Sequence, residues 1–428
     1  MRLRILGWMP KANVPWLGVP RGFTLRRDHW IPGRAWRNWI AKAMDEAIPG
    51  SSLVIRDRLL VVHRLPAPRD SYALEVYSSA ARLGVVEYSP SGDWFFRPSG
   101  ALASILEGQG FPVVRVEWRG RLKGKKVRVP QASCSEGEYV LVESGGFVGP
   151  ARILDREGCV VRVRDMAPKG FRLLGESTIE DAVSVNRAYV ERIAAEAVEF
   201  IRREAGGRLY VAVSGGIDSG VTLSLAVEAL GPGRVTAVYA DTGMEFPENR
   251  ETAEKLASRL GVDLVVVESG RDPLDEIRAR GLMTRDRRWC TRLLKLAPLA
   301  RYYKRVNARV VADGARALES DSRAQTPRSG VNPLIPFVKR ILPIHQWSRL
   351  EVQLYAHLRG LPVNPLYDRG LERIGCMVCP AMHLYELRLA ERLASGFYER
   401  LYRVLGEMGV RDPRGLILGG SWRTDSSY

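Results

Sequence analysis

The stretch that decides the fold is Leu209-Tyr210-Val211-Ala212-Val213, followed by Ser214-Gly215-Gly216-Ile217-Asp218-Ser219-Gly220. Its first five residues are apolar throughout, as a strand buried on both faces requires. The run that follows, Asp218 to Leu230, reads as a helix. Between them, two adjacent glycines let the backbone turn tightly and approach a ligand closely. The opening helix turns unpaired amides and a positive dipole end toward the same point, so the loop suits a phosphate. Ser214 and Ser219 add hydroxyl donors. Asp218 would repel a phosphate unless a cation lay between them, which gives it a Mg²⁺-linked role. A capped strand-to-helix turn explains a bare Gly-Gly pair equally well. It does not explain the whole seven-residue string in this setting.

Outward from the loop, strand and helix signals alternate. Residues 179–205 carry apolar side chains at three- and four-residue spacing, the mark of a long amphipathic helix. The run Arg234–Asp241 reads as a second strand, Glu248–Gly261 as a helix ended by Gly261, Asp263–Ser269 as a third strand and Arg309–Gly314 as a fourth. Such alternation predicts an α/β domain over residues 179–428, an open parallel sheet with helices on both faces. Ligands of such sheets bind beyond the carboxyl ends of the strands. Ser214, Asp241 and Gly314 all fall there.

The chain before residue 179 differs. Residues 111–178 hold short alternating or β-branched runs, among them Glu138–Ser144 and Cys159–Met166, separated by glycines and charges. This is the pattern of a small β-barrel or sandwich. Residues 1–110 read as strands and turns. The formal net charge is +17, with the larger excess per residue before residue 179. A basic balance accompanies polyanion binding, although an Arg-rich proteome also produces it. The run Arg119-Gly-Arg121-Leu-Lys123-Gly-Lys125-Lys126 places five cations where they could meet RNA phosphates or form a solvated turn. No apolar run is long enough to cross a bilayer, and the basic start is too interrupted for a signal peptide, so a cytoplasmic protein with no membrane partner is expected.

The loop Ser214–Gly220 resembles the SGGxDS signature of the PP-loop ATP-pyrophosphatase superfamily, and within it the phosphoadenosine phosphosulfate (PAPS) reductase-like family. Asp241-Thr242-Gly243 with Phe246-Pro247-Glu248 is similar to that family's DTGxxFPE. Arg288-Trp289-Cys290 with Lys295 is similar to RxWCxxxxK, and Gly314 to Arg323 to GxRxxESxxR. Asn364-Pro365-Leu366-Tyr367 leads into Gly375-Cys376-Met377-Val378-Cys379-Pro380. The resemblance covers about half of the chain in the family's order. It implies an adenine-nucleotide-hydrolase-like fold that binds ATP with Mg²⁺. Ser214, Gly215, Gly216, Asp218, Ser219, Asp241, Thr242, Gly243, Lys295, Gly314, Arg316 and Arg323 would hold the nucleotide, with Asp218, Cys290 and Cys379 catalytic. Residues 111–178 resemble a PUA domain, a small RNA-binding barrel. Trp8 to Pro15 resembles a zinc-ribbon start with Met9 and Ala12 in the cysteine positions, so zinc is not expected there.

The chain holds five cysteines. In a cytosolic protein, metal or redox chemistry is expected before disulfides. Pro380 suits the first position of a helix, which would put Cys379 at a helix N-terminus where a thiolate is favoured. In the cluster-binding members of the family two adjacent cysteines join a later CxxC; here Thr291 replaces the second. Cys290, Cys376 and Cys379 would hold a 4Fe–4S cluster through three ligands, a zinc with a fourth ligand from elsewhere, or act as thiols. The thioredoxin-dependent reductases attack with a cysteine in the C-terminal tail, and none follows Cys379. The expected activity is therefore tRNA-type sulfur insertion into an adenylated RNA base, with PAPS or adenylyl-sulfate reduction as the alternative. The expected partners are RNA of the transfer class, a sulfur- or electron-donating protein and a second copy of the chain.

Overall fold

The computed structural model describes residues 28–67, 71–78, 81–173 and 175–424. The zinc-ribbon-like start lies outside them. The chain divides into two compact units, Met1–Asn186 and Arg187–Tyr428.

The first unit opens with β1 (His29–Trp30), α1 (Arg34–Ala47), β2 (Leu60–Leu65), β3 (Tyr72–Ser78), β4 (Ala81–Tyr88), β5 (Trp94–Pro98) and α2 (Gly100–Gly108). The five strands form an antiparallel sheet in sequence order. The two helices join the strands expected in residues 1–110, a stretch also expected to be an α+β module. Trp36, Ile40, Ala43, Met44 and Ala47 are buried on one side of α1, a helical spacing that the interleaved arginines and tryptophans hid. Ser99 caps α2 by accepting from the Leu102 N–H at 3.1 Å.

A second sheet contains β6 (Val113–Arg115), β7 (Lys126–Arg128), β8 (Tyr139–Ser144), β9 (Phe147–Asp155), β10 (Val160–Val163) and β11 (Ala167–Pro168). The order is β6-β8-β9-β10-β7, with β11 beside β9. Every run read as a strand here contributes one, because each alternates and Val140, Val142, Ala151, Val161 and Val163 point into a common core. Cys134 and Cys159 are joined there by a disulfide, with Cα atoms 5.9 Å apart. This overturns the expectation of metal or redox chemistry for these two. Both are almost fully buried in that core.

In the second unit, to which most of α3 (Ile179–Ala205) belongs, the elements are β12 (Leu209–Val213), α4 (Ile217–Leu230), β13 (Val235–Asp241), α5 (Pro247–Leu260), β14 (Asp263–Glu268), α6 (Pro273–Arg280) and α7 (Ala297–Arg305). Next come β15 (Val310–Ala312), α8 (Asp321–Ala324), β16 (Ser329–Asn332), β17 (Ile335–Ile341), α9 (Arg349–Leu358), α10 (Leu384–Leu393), α11 (Ser395–Glu407) and α12 (Pro413–Gly419). The sheet order is β14-β13-β12-β15-β17-β16. All pairings are parallel except that of edge strand β16. The chain thus runs outward from β12 through β13 to β14, then returns to the other side of β12 as β15. That reversal opens a crevice between the carboxyl ends of β12 and β15. The hairpin β16–β17 went unread because Pro333 and Pro336 interrupt it. The structure tolerates Pro336 where the β16–β17 register shifts, so no ladder bond is asked of it.

Candidate active site

The crevice is built from the loop after β12. Gly215 has φ +73°, and a Cβ there would lie 2.2 Å from the Asn249 carbonyl oxygen, so a glycine is required on both counts. The Ser219 hydroxyl donates to the Gly216 carbonyl at 2.8 Å and accepts from the Ser214 N–H at 3.1 Å, which fixes the turn. The Ser214 and Ser219 hydroxyls lie 3.3 Å apart. As at any helix start, the first-turn amides of α4 have no carbonyl partner within the helix. Gly314, beyond β15, packs so tightly on this turn that a Cβ would stand 2.8 Å from the Ser219 nitrogen. Gly314 thus sets the end of β15 against the start of α4, and Gly215 sets the same turn against Asn249 of α5.

The predicted residues divide by what they touch. Arg316 is 2 % exposed. Its Nε donates to Asp218 Oδ1 at 2.6 Å and its backbone N–H to Glu319 Oε2 at 2.8 Å. It holds Asp218 in place through one carboxylate oxygen. Arg323 is paired with Glu319. At the end of β13, Asp241 Oδ1 accepts from the Gly243 N–H at 2.9 Å. The Thr242 hydroxyl donates to Glu245 at 2.8 Å. Lys295 lies on a π-helical turn, Thr291–Leu296, immediately after Cys290.

Three residues with no assigned role in the sequence complete the loop's support. The Tyr367 hydroxyl accepts from the Ile217 N–H at 3.1 Å, and burial pushes that hydroxyl up to about 12, so it stays neutral. Asn364 Nδ2 donates to the Gly215 carbonyl at 3.3 Å and to Asn249 Oδ1 at 3.1 Å. Asn249 Nδ2 in turn donates to the Gly375 carbonyl at 3.1 Å. The signal for Tyr367 and Asn364 was their place in a family string. For Asn249 it was only its position beside Pro247-Glu248.

This chain of amides carries the loop to the cysteines. Cys376, next to Gly375, bridges backbone-to-backbone with Glu245 and donates its thiol to Glu245 Oε1 at 3.7 Å. Burial pushes the Cys376 thiol well up; Glu245, Cys379 and Cys290 push the same way, while Lys295 opposes them. Burial likewise raises the Cys290 thiol, with Cys379 adding to it. The three sulfurs and Lys295 therefore share one electrostatic neighbourhood. Cys379 is not at a helix N-terminus as expected. It lies in a turn where its carbonyl accepts from the Met382 N–H at 3.0 Å, and α10 starts later, at Leu384. Glu386 reaches back to the His383 N–H at 3.0 Å, so His383 takes the cap position expected for Cys379.

Among the described residues no three His, Cys, Asp or Glu side chains stand at metal-holding geometry. Cys290, Cys376 and Cys379 are free, partly buried thiols, the residues that would hold the expected 4Fe–4S cluster. No helix among the described residues is long and apolar enough to cross a membrane.

Residues 208–382 match the phosphoadenosine phosphosulfate reductase domain. An adenosine 5'-phosphosulfate reductase of Streptomyces coelicolor is 33% identical over 48% of this chain and 86% of its own. The chain belongs to the phosphoadenosine phosphosulfate reductase domain family. An uncharacterized protein of Methanocaldococcus jannaschii is 29% identical over 82% of this chain and 86% of its own, so that likeness continues into the first unit. A U34-tRNA thiolase of Methanococcus maripaludis, solved with its 4Fe–4S cluster, is 18% identical over 52% of this chain and 79% of its own, at a TM-score of 0.35. The loop Ser214–Gly220 lies within the matched residues.

Proposed function

We propose that this family member uses ATP to adenylate an oxygen of an RNA base and then replaces that oxygen with sulfur. ATP would sit with its phosphates at the PP-loop. Attack of the base oxygen on the α-phosphorus expels pyrophosphate and turns the oxygen into part of a leaving group. The outer sulfur of a persulfide on one of the three cysteines then displaces AMP from the base carbon. A second of these thiols attacks the resulting disulfide, releasing the thiolated base and leaving a cysteine disulfide that an electron donor reduces. The observation that carries this reading is the amide relay from Gly215 through Asn364 and Asn249 to Gly375, which ties the residue before Cys376 to the loop proposed to take the phosphates. A nucleotide site and a set of thiols are thereby held as one unit. The exposed cations Arg119, Arg121, Lys125 and Lys126 of the first unit support a polyanionic substrate; Lys123 is drawn instead to Asp165, at 2.7 Å.

A second reading is reduction of adenosine 5'-phosphosulfate, favoured by the identity to reductases of that name. It needs the thiols and the nucleotide site but neither pyrophosphate release nor RNA. Mass spectrometry of modified nucleosides separates the two: a deletion strain should lose one thiolated nucleoside from its transfer RNA. An unchanged nucleoside profile, together with loss of sulfite formation, supports the reductase.

A further inference from the structure

Of the five exposed Phe and Trp rings among the described residues, three are Trp118, Phe147 and Phe171, 41%, 47% and 39% exposed. They lie far apart in sequence, yet the sheet register brings them to one place. Strand β6 runs parallel to β8, and the Val116 N–H still donates to the Glu143 carbonyl, so Trp118 leaves the sheet at the end where β8 turns into β9. Phe147 is the first residue of β9, directly after that turn. Strand β11 runs antiparallel to β9 with Pro168 opposite Phe147, and the Lys169 N–H donates to the Gly146 carbonyl, so Phe171 emerges at the same end. Three rings thus stand across one sheet end, about 5–10 Å apart sideways at the usual strand spacing.

An exposed ring has no packing reason to remain aromatic. Here the rings are interleaved with cations: Arg119 and Arg121 follow Trp118, and Arg172 follows Phe171, all three exposed. No ion pair engages those three among the described residues. Cations beside exposed rings meet both needs of an unpaired nucleic-acid strand, phosphate neutralisation and a flat face for each base. A duplex keeps its bases stacked on each other and offers such rings nothing. We infer that the end of this sheet bearing Trp118, Phe147 and Phe171 binds single-stranded RNA by stacking unpaired bases on the three rings. This rests on the RNA reading above and narrows its substrate to a loop or an unpaired end.

The test uses the full chain, a labelled single-stranded RNA of mixed sequence and the same sequence closed into a duplex, with anisotropy read across a salt series. Phe147→Leu and Trp118→Leu should each weaken the single strand by roughly 5- to 100-fold, the usual contribution of one stacked base, without changing the salt slope. Phe147→Tyr should restore binding. Duplex affinity should not move. Arg119→Glu should lower the slope by about one for both RNAs. If the wild-type chain binds RNA but both leucine variants bind as it does, or lose duplex and single strand alike, stacking is wrong while the RNA reading stands. If the wild-type chain binds neither RNA at low salt, both fall, and the rings serve a protein partner instead.

Discussion

At Asp218 a carboxylate expected to work beside a Mg²⁺ ion is held by the guanidinium of Arg316, at 2.6 Å. The reason is burial: Arg316 has almost no water contact, and a buried guanidinium must find an anion. Arg316 accordingly acts through Asp218 rather than on a phosphate. Replacing it with alanine leaves a partly buried carboxylate without its partner, which costs toward the lower end of about 3–5 kcal/mol. Arg316→Ala should therefore lower the urea midpoint of the full chain and weaken binding of ATP with Mg²⁺ in calorimetry. Unchanged values in both would show that Asp218 does not depend on this pair. The same sequence string offered Arg316 and Arg323 as equals. The i,i+4 spacing puts Arg323 beside Glu319, but no local signal turns Arg316 inward to Asp218, which is distant in sequence. Cys376 is a second residue whose surroundings decide its part. Cys376→Ser keeps the side chain's size and removes the sulfur, so ATP binding and pyrophosphate release should persist while sulfur reaching RNA is lost. Full sulfur incorporation by that variant would exclude Cys376 from the transfer.

Elements were legible wherever burial on one or both faces wrote a period into the chain. The central strands β12, β13 and β14 and the helices between them follow from continuous apolar runs alternating with amphipathic ones. Alternation likewise gave the strands of the second sheet. What stayed hidden was set by long-range pairing: the β16–β17 hairpin with its prolines, the late start of α10 and the Cys134–Cys159 disulfide. The first sheet carries a prediction of its own. Glu75 on β3 lies 3.0 Å from His63 Nε2 on β2, accepts from the Tyr77 hydroxyl at 2.7 Å and pairs with Arg82 on β4. Burial alone would raise its carboxyl, but these partners win and pull it to about 2 from an ordinary 4.5. A depressed carboxyl stabilises the fold above its unfolded value, so this contribution is whole above about pH 4.5 and is lost as pH falls toward about 2. Thermal unfolding followed downward from pH 5 should show the loss, and Glu75→Gln should flatten that limb. An identical slope in the variant would place the acid sensitivity elsewhere.

For the whole molecule, the account joins a PP-loop and three thiols in one unit to a basic, ring-bearing sheet in the other. Sequence order and family strings made the first legible, since Ser214, Asp241 and Gly314 had to fall at strand ends. The bridge between loop and cysteines was not, because Asn249 and Asn364 meet Gly215 from distant segments. The most direct test supplies the purified chain with transfer RNA, ATP, Mg²⁺, a ³⁵S-labelled persulfide donor and a dithiol reductant, and counts label in the RNA against pyrophosphate and AMP. The account predicts label that requires ATP, matches both products one for one and disappears in Cys376→Ser. Unlabelled RNA, with adenosine 5'-phosphosulfate converted to sulfite and AMP in the absence of any RNA, would contradict it.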